Sequence, residues 1–173
     1  MYHSALQNIY GNHSPFAFRD NHSDTAINHL RVAIELRLRR GFGILAKINK
    51  NKDVVAFPLS GLLKKVRAFQ SEIEFSVPLQ HVDRIYCWSN LYMHAGLKLY
   101  TWSPMFALQH LTRFLIGGRY GVGPGIKGSA YAGIMTSEQV VKRIQAAFRD
   151  EVKSSGAELL CMEPSDCHVV FKA

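Results

Sequence analysis

The chain has 173 residues, of which 47% are hydrophobic and 20% charged, and Lys plus Arg exceed Asp plus Glu by 21 to 13, a formal charge of +8. That length excludes a two-enzyme chain, and that balance excludes wholesale disorder. The positive field directs attention to polyanionic partners, nucleic acid first.

The opening "MYHSALQNIYGNHSPFAF" has no basic region followed by an apolar run, so no secretory signal is expected. No apolar stretch approaches the ~18 residues of a membrane span. The three cysteines are odd in number and widely spaced, which argues against a disulfide framework and favours a reducing cytoplasm.

Residues 1–23 show no period and read as an irregular arm; residues 24–173 read as one domain. In "SDTAINHLRVAIELRLRRG", Ser23 or Asp24 is the expected helix N-cap, and Ile27, Leu30, Ile34 and Leu38 form the apolar stripe. Gly41 is the expected stop. Arg31, Glu35 and Arg39 follow at i, i+4 and i+8, the pattern of an ion-paired outer face. "FGILAKINKNKDVVAF" fits either a β-hairpin around Asn49–Lys52 or a continued helix and loop.

Ser60 to about Phe69 predicts a short helix with Lys64, Lys65 and Arg67 as a basic cluster, and "EIEFSV" alternates as a strand or an extended connection does. Pro78 starts a long helix expected to reach Tyr100, and Pro104 starts another ending at Gly117 and Gly118. Residues 117–133 hold seven glycines and a proline and read as a loop that either touches phosphate through Arg119, Tyr120 and Lys127 or simply connects. Its Gly123, Gly125 and Gly128 match the dinucleotide pattern formally, but a helix precedes where a strand is required, and Lys127 precedes the glycine, unlike in a P-loop. Residues 136–173 then predict a helix capped by Thr136 and Gln139, closed by Gly156 and carrying the stripe Val140, Ile144, Ala147, Phe148 and Val152. A β-hairpin around Pro164–Asp166 follows. The expected fold is mainly α (α+β): a bundle of four to five helices with a small C-terminal hairpin.

On the long helix, Asp83, Cys87, Asn90 and His94 fall within roughly 60° of one another, with Lys98 beside them, on an otherwise apolar cylinder. A water-facing stripe is the simplest meaning of such a seam. Asp83, Cys87 and His94 have metal-ligand chemistry, but neither His-x-Glu nor Cys-x-x-Cys accompanies them, so no metal and no cofactor are expected. His81, His94 and His110 are the histidines expected within the helical core, with His110 read as structural, and Cys161 with His168, neighbours across the predicted hairpin, lack the orienting group and oxyanion donor of a nucleophilic site. Trp88, Trp102, Tyr92, Tyr100 and Phe106 serve the core, a dimer interface, or a stacking platform for unpaired bases interleaved with Arg84, Lys98 and Arg113.

The stretch Ser89–His94, "SNLYMH", resembles the Arg-polar-x-x-x-His signature of the HEPN superfamily (higher eukaryotes and prokaryotes nucleotide-binding), with Asn90 and His94 matching and Ser89 in place of the arginine. The resemblance extends over roughly residues 24–117, through the helix "AIELRLRRGFG". It implies a helical bundle that acts as a homodimer on RNA or a cognate protein partner, in the manner of phage-defence ribonucleases. His94 would serve as acid or base in metal-independent cleavage, and Asn90 would orient it or contact phosphate. Either the cation comes from Arg31, Arg113 or Arg119, because Arg84 lies about 80° from His94 around the helix, or the site is catalytically dead and binds RNA or a partner protein without cleavage. Arg84, Lys98, Arg113, Arg119 and Lys127 are then the phosphate-binding set. A non-enzymatic protein that takes a small molecule or peptide into an apolar inter-helix groove is the alternative.

Overall fold

The computed structural model describes residues 21–95, 103–116, 126–128 and 133–172. Helix α1 spans Asn21–Phe42, and its stripe of Ile27, Leu30, Ile34, Leu38 and Phe42 is wholly buried. Each such side chain stabilises the fold by about 1.5–3 kcal/mol relative to exposure. The helix begins ahead of the expected cap and passes the expected stop. Gly43, at φ 67°, makes the left-handed turn that ends it. Gly41 is small for another reason: a Cβ there would sit 2.8 Å from Ile134 Cδ1. Arg39 departs from the expected outer face, because its guanidinium turns inward to donate to the carbonyls of Leu45 and Phe57.

Strands β1 (Ile44–Ile48) and β2 (Val54–Val55) realise the hairpin reading of their segment. Asn49 Oδ1 closes the turn by accepting from the backbone N–H groups of Asn51 and Asp53, each at 2.9 Å. Helix α2 (Leu59–Ala68) buries Leu59, Leu62, Leu63 and Val66, and β3 (Glu74–Phe75) follows a single 3-10 turn. Helices α3 (Leu79–Ala95) and α4 (Ser103–Ile116) come next. β4 (Ile126–Gly128) is a strand inside the segment expected to be all loop. Strand β5 (Ile134–Thr136) leads to α5 (Glu138–Ser154). The cap of α5 falls one residue later than predicted, with Ser137 Oγ accepting from the Val140 N–H, because Thr136 belongs to β5 and its hydroxyl donates to the Glu72 carbonyl.

The last segment corrects the expectation of a C-terminal hairpin. β6 (Glu158–Cys161) and β7 (Val170–Lys172) both form, but in different sheets. β6 pairs antiparallel with β1 in a three-stranded sheet of order β2-β1-β6, and β7 lies between β5 (parallel) and β4 (antiparallel) in a four-stranded sheet of order β3-β5-β7-β4. The turn between them is held by α1 rather than by strand pairing: Met162 N–H donates to the Gly43 carbonyl and His168 N–H to the Arg40 carbonyl, both at 2.8 Å. The molecule is thus mainly α with some β, and one hydrophobic cluster joins α1, β1, α2, α3, α4 and α5. No helix among the described residues is long and apolar enough to cross a membrane.

Gln145 secures this arrangement. Its amide is 1% exposed, and Nε2 donates to the carbonyls of Phe42 and Met162, each at 3.1 Å. Those acceptors lie at the end of α1 and just after β6. Gln145→Leu should therefore lower the unfolding free energy by about 2–4 kcal/mol, the cost of stranding buried carbonyls, measured by urea denaturation with an unchanged m-value.

Candidate functional site

The polar seam of α3 does not converge on one point. Asp83 turns to α2 and pairs with Arg67, and Cys87 is exposed with its thiol 3.9 Å from Asp83 Oδ1. Burial and the neighbouring Asp83 push that thiol's pKa up, so it is a poor ligand and nucleophile. Ser89, which stands where the HEPN signature has arginine, is fully buried and donates to the Tyr86 carbonyl at 2.7 Å. His94 is exposed near the end of α3. Among the described residues, no group of three or more His, Cys, Asp or Glu is arranged to hold a metal.

Asn90 belongs to a network between α1 and α3. The Tyr86 hydroxyl donates to Glu35 Oε1 at 2.7 Å, Glu35 pairs with Arg31 at 3.6 Å, and Arg31 lies over the Tyr86 ring at 5.7 Å. Desolvation, then the Glu35 contact, raises the Tyr86 pKa, while hydrogen bonds from Arg31 and Asn90 oppose that rise. Asn90 Oδ1 is buried and has no partner among the described residues. Of the arginines offered as replacements for the missing cation, Arg31 is the one brought beside Asn90. Arg113 is exposed in the last turn of α4, Lys98 and Arg119 lie outside the described residues, and Lys127 sits in β4 opposite Phe171.

A concave feature forms elsewhere, between α3 and α4. A cleft of about 660 Å³ is walled by Ile85, Trp88, Phe106 and Ala107 and rimmed by Arg84, Ser103, Gln109 and the pair His81 and His110. The two imidazoles are hydrogen-bonded, His81 Nδ1 to His110 Nε2 at 3.0 Å, so one ring donates and the other accepts. Phe106 is 60% exposed, and Trp88 packs against Tyr92 with centroids 5.7 Å apart. Sequence reasoning assigned both histidines to the core; both reach the surface instead, His81 partly and His110 fully. A signal was present: 81, 85 and 88 on α3 and 103, 106 and 110 on α4 each repeat at i, i+3 or i+4, and i+7. What periodicity lacks is which two stripes face each other.

The Cys161 and His168 pairing is also corrected. Cys161 stands opposite Ile44 in the three-stranded sheet, whereas His168 follows the 3-10 turn beside Arg40. Burial raises the Cys161 pKa and pushes the Cys167 thiol up to about 11, leaving neither poised as a nucleophile. Compared with known proteins, the chain matches no family model, no curated protein and no solved structure.

Burial, then the charges of Arg40 and Arg37, lowers the His168 pKa. The folded protein therefore binds this proton less readily than the unfolded chain, whose imidazole titrates near ~6.5. Stability should be full above that value and fall as the pH drops through it toward the lower folded value. His168→Gln should flatten the acid limb of a plot of unfolding midpoint against pH.

Proposed function

We propose that the protein binds single-stranded RNA and that the α3–α4 cleft seats unpaired bases. The observation that carries this reading is an aromatic wall, Trp88 with the exposed Phe106, placed beside Arg84 and two histidines. Bases stack on such rings irrespective of sequence, and cations beside the rings suit the phosphates between them. The chain's formal charge of +8 adds long-range attraction. Three free thiols suit a reducing compartment, and we assign the protein to the cytoplasm.

Trp88→Ala should weaken binding of a short oligouridine about 10- to 100-fold, the loss of roughly 1–3 kcal/mol of stacking, read by fluorescence anisotropy of a labelled strand. The wild-type affinity should fall linearly on a log–log plot against salt. An affinity indifferent to salt, with preference for a neutral aromatic compound, would instead make the cleft a pocket for a small molecule or peptide.

Metal-independent cleavage is the second reading, favoured by the hydrogen-bonded pair His81 and His110 beside Arg84. Attack by a 2′-hydroxyl needs one group to take its proton, another to protonate the departing 5′-oxygen, and a cation for the phosphorane. Two imidazoles, one to accept the hydroxyl proton and the other to deliver a proton to the departing oxygen, and a guanidinium for the phosphorane match those three roles. This moves the acid–base chemistry away from His94 and Asn90. The HEPN-like arrangement remains the competing form of the same reading, supported by Arg31 beside Asn90 and by Leu91 and Met93, 56% and 39% exposed around His94, as a surface for a second copy.

An assay in EDTA at low salt separates the two forms. If the cleft acts, His81→Ala and His110→Ala should each abolish cleavage of a mixed-sequence single strand while His94→Ala retains it. The opposite pattern, together with sedimentation as a dimer, would put the chemistry on the α3 seam.

A further inference from the structure

His81 and His110 are 29 residues apart in the chain and stand on different helices, yet their ring nitrogens meet. His81 belongs to the first turn of α3 and His110 to the middle of α4, and both helices pack on α1. His81 Nδ1 lies 3.0 Å from His110 Nε2, and the ring centroids are 5.1 Å apart with the planes inclined at 43°. The rings therefore approach by their nitrogens rather than stack face on face.

That separation has two chemical uses. One is a hydrogen bond, in which one nitrogen donates and the other accepts. The other is a shared metal ion. Two nitrogens, each about 2.0–2.1 Å from one ion, stand about 3.3 Å apart around a tetrahedral centre and about 2.9 Å apart around a square-planar one. The observed 3.0 Å falls between those values. The type of ion follows from the donors. Imidazole suits zinc, copper and nickel, whereas magnesium, calcium and manganese prefer oxygen. No carboxylate is among the described residues that line the cleft, and the acid nearest in sequence to either histidine, Asp83, is paired with Arg67.

We propose that His81 and His110 form a binding site for a divalent transition-metal ion of the zinc class. Two protein ligands leave at least two positions to water or to an oxygen of whatever occupies the cleft, and the exposed His110 gives the ion access from solvent. Coordination needs both facing lone pairs, so the ring that donates in the hydrogen bond carries its proton on its other nitrogen once the ion is bound. The ion bridges α3 and α4 at the rim of the cleft, where Arg84 also stands, and the combined positive charge suits an anionic oxygen in the open positions. Metal binding and acid–base use of the pair are mutually exclusive, because the ion holds the two lone pairs that metal-independent cleavage requires. The site rests on the geometry of the pair and not on the reading of the cleft as an RNA seat.

Zinc is the probe, titrated against the full chain with magnesium as the control and no nucleic acid present, so that failure here leaves the RNA reading untouched. The ring resonances of His81 and His110 should move together in proton–nitrogen spectra and saturate at one ion per chain in micromolar zinc, while magnesium leaves them in place. Saturation should raise the thermal midpoint, since the ion binds the folded chain. Copper(II) in place of zinc should give an electron paramagnetic resonance spectrum with coupling to two nitrogens. His110→Gln keeps a hydrogen-bonding partner for His81 at an exposed position but removes the ligand. It should weaken zinc at least about 10- to 100-fold, the loss that removing even a supporting group from a metal site produces. His110→Cys, which offers a different zinc ligand at the same position, should recover part of that affinity. The chain has eight histidines, so zinc that moves others and leaves this pair fixed would overturn the site. Shifts that appear only at millimolar zinc would mark an adventitious ion only and overturn it equally, as would an undiminished affinity in His110→Gln.

Discussion

The apolar stripe of α1, Ile27 through Phe42, is the constraint on which the rest of the structure depends. α1 touches α2, α3, α4, α5 and β1, so every other helix among the described residues buries its own stripe partly against this one. A helix enclosed on so many sides has little free circumference for charge. Its ionic residues must therefore be satisfied individually: Arg31 and Glu35 by each other and Tyr86, Arg39 by two carbonyls, and Arg37 by one. The polar groups of greatest interest lie on or against α1 because this packing leaves them few alternatives.

The end of α1 also decides how the chain finishes. Gly43 turns the chain into β1 through a left-handed conformation, and the close approach of Gln145 and Cys167 leaves no room for a Cβ there. The same place receives the Gln145 amide, the Met162 N–H and the His168 N–H, which respectively engage Phe42, Gly43 and Arg40. Fastened at both ends to α1, the 3-10 turn Pro164–Asp166 sends β6 to one sheet and β7 to the other. Two small sheets are thereby pinned to a helical core instead of one hairpin lying on its edge.

Two settings with different chemistry result. Between α3 and α4, aromatic rings and an arginine surround a pair of histidines at an accessible cleft, a setting suited to bases and their phosphates. Toward the C-terminal end of α1, Arg37 and Arg39 are buried and donate to main-chain carbonyls, whereas Arg40 stays exposed. The excess of basic residues in the composition thus acts in two ways, as an outer field and as an inner donor set.

Local order was legible in the amino-acid sequence because it is encoded by neighbours. The stripe at 27, 30, 34 and 38, the buried face of α5 and the mainly α class all follow from spacing within one segment, whereas the segment around Asn49 fits a hairpin and a continued helix equally. Boundaries moved where a distant partner intervened: Thr136 joined a strand through Glu72, and Gly41 served the approach of Ile134. The partners of β6 and β7, the meeting of His81 with His110 and the bond from Arg37 to the Phe114 carbonyl depend on contacts between residues far apart in the chain. Periodicity states which face of an element is apolar; only the assembled core determines which faces meet, and therefore which polar side chains are left together.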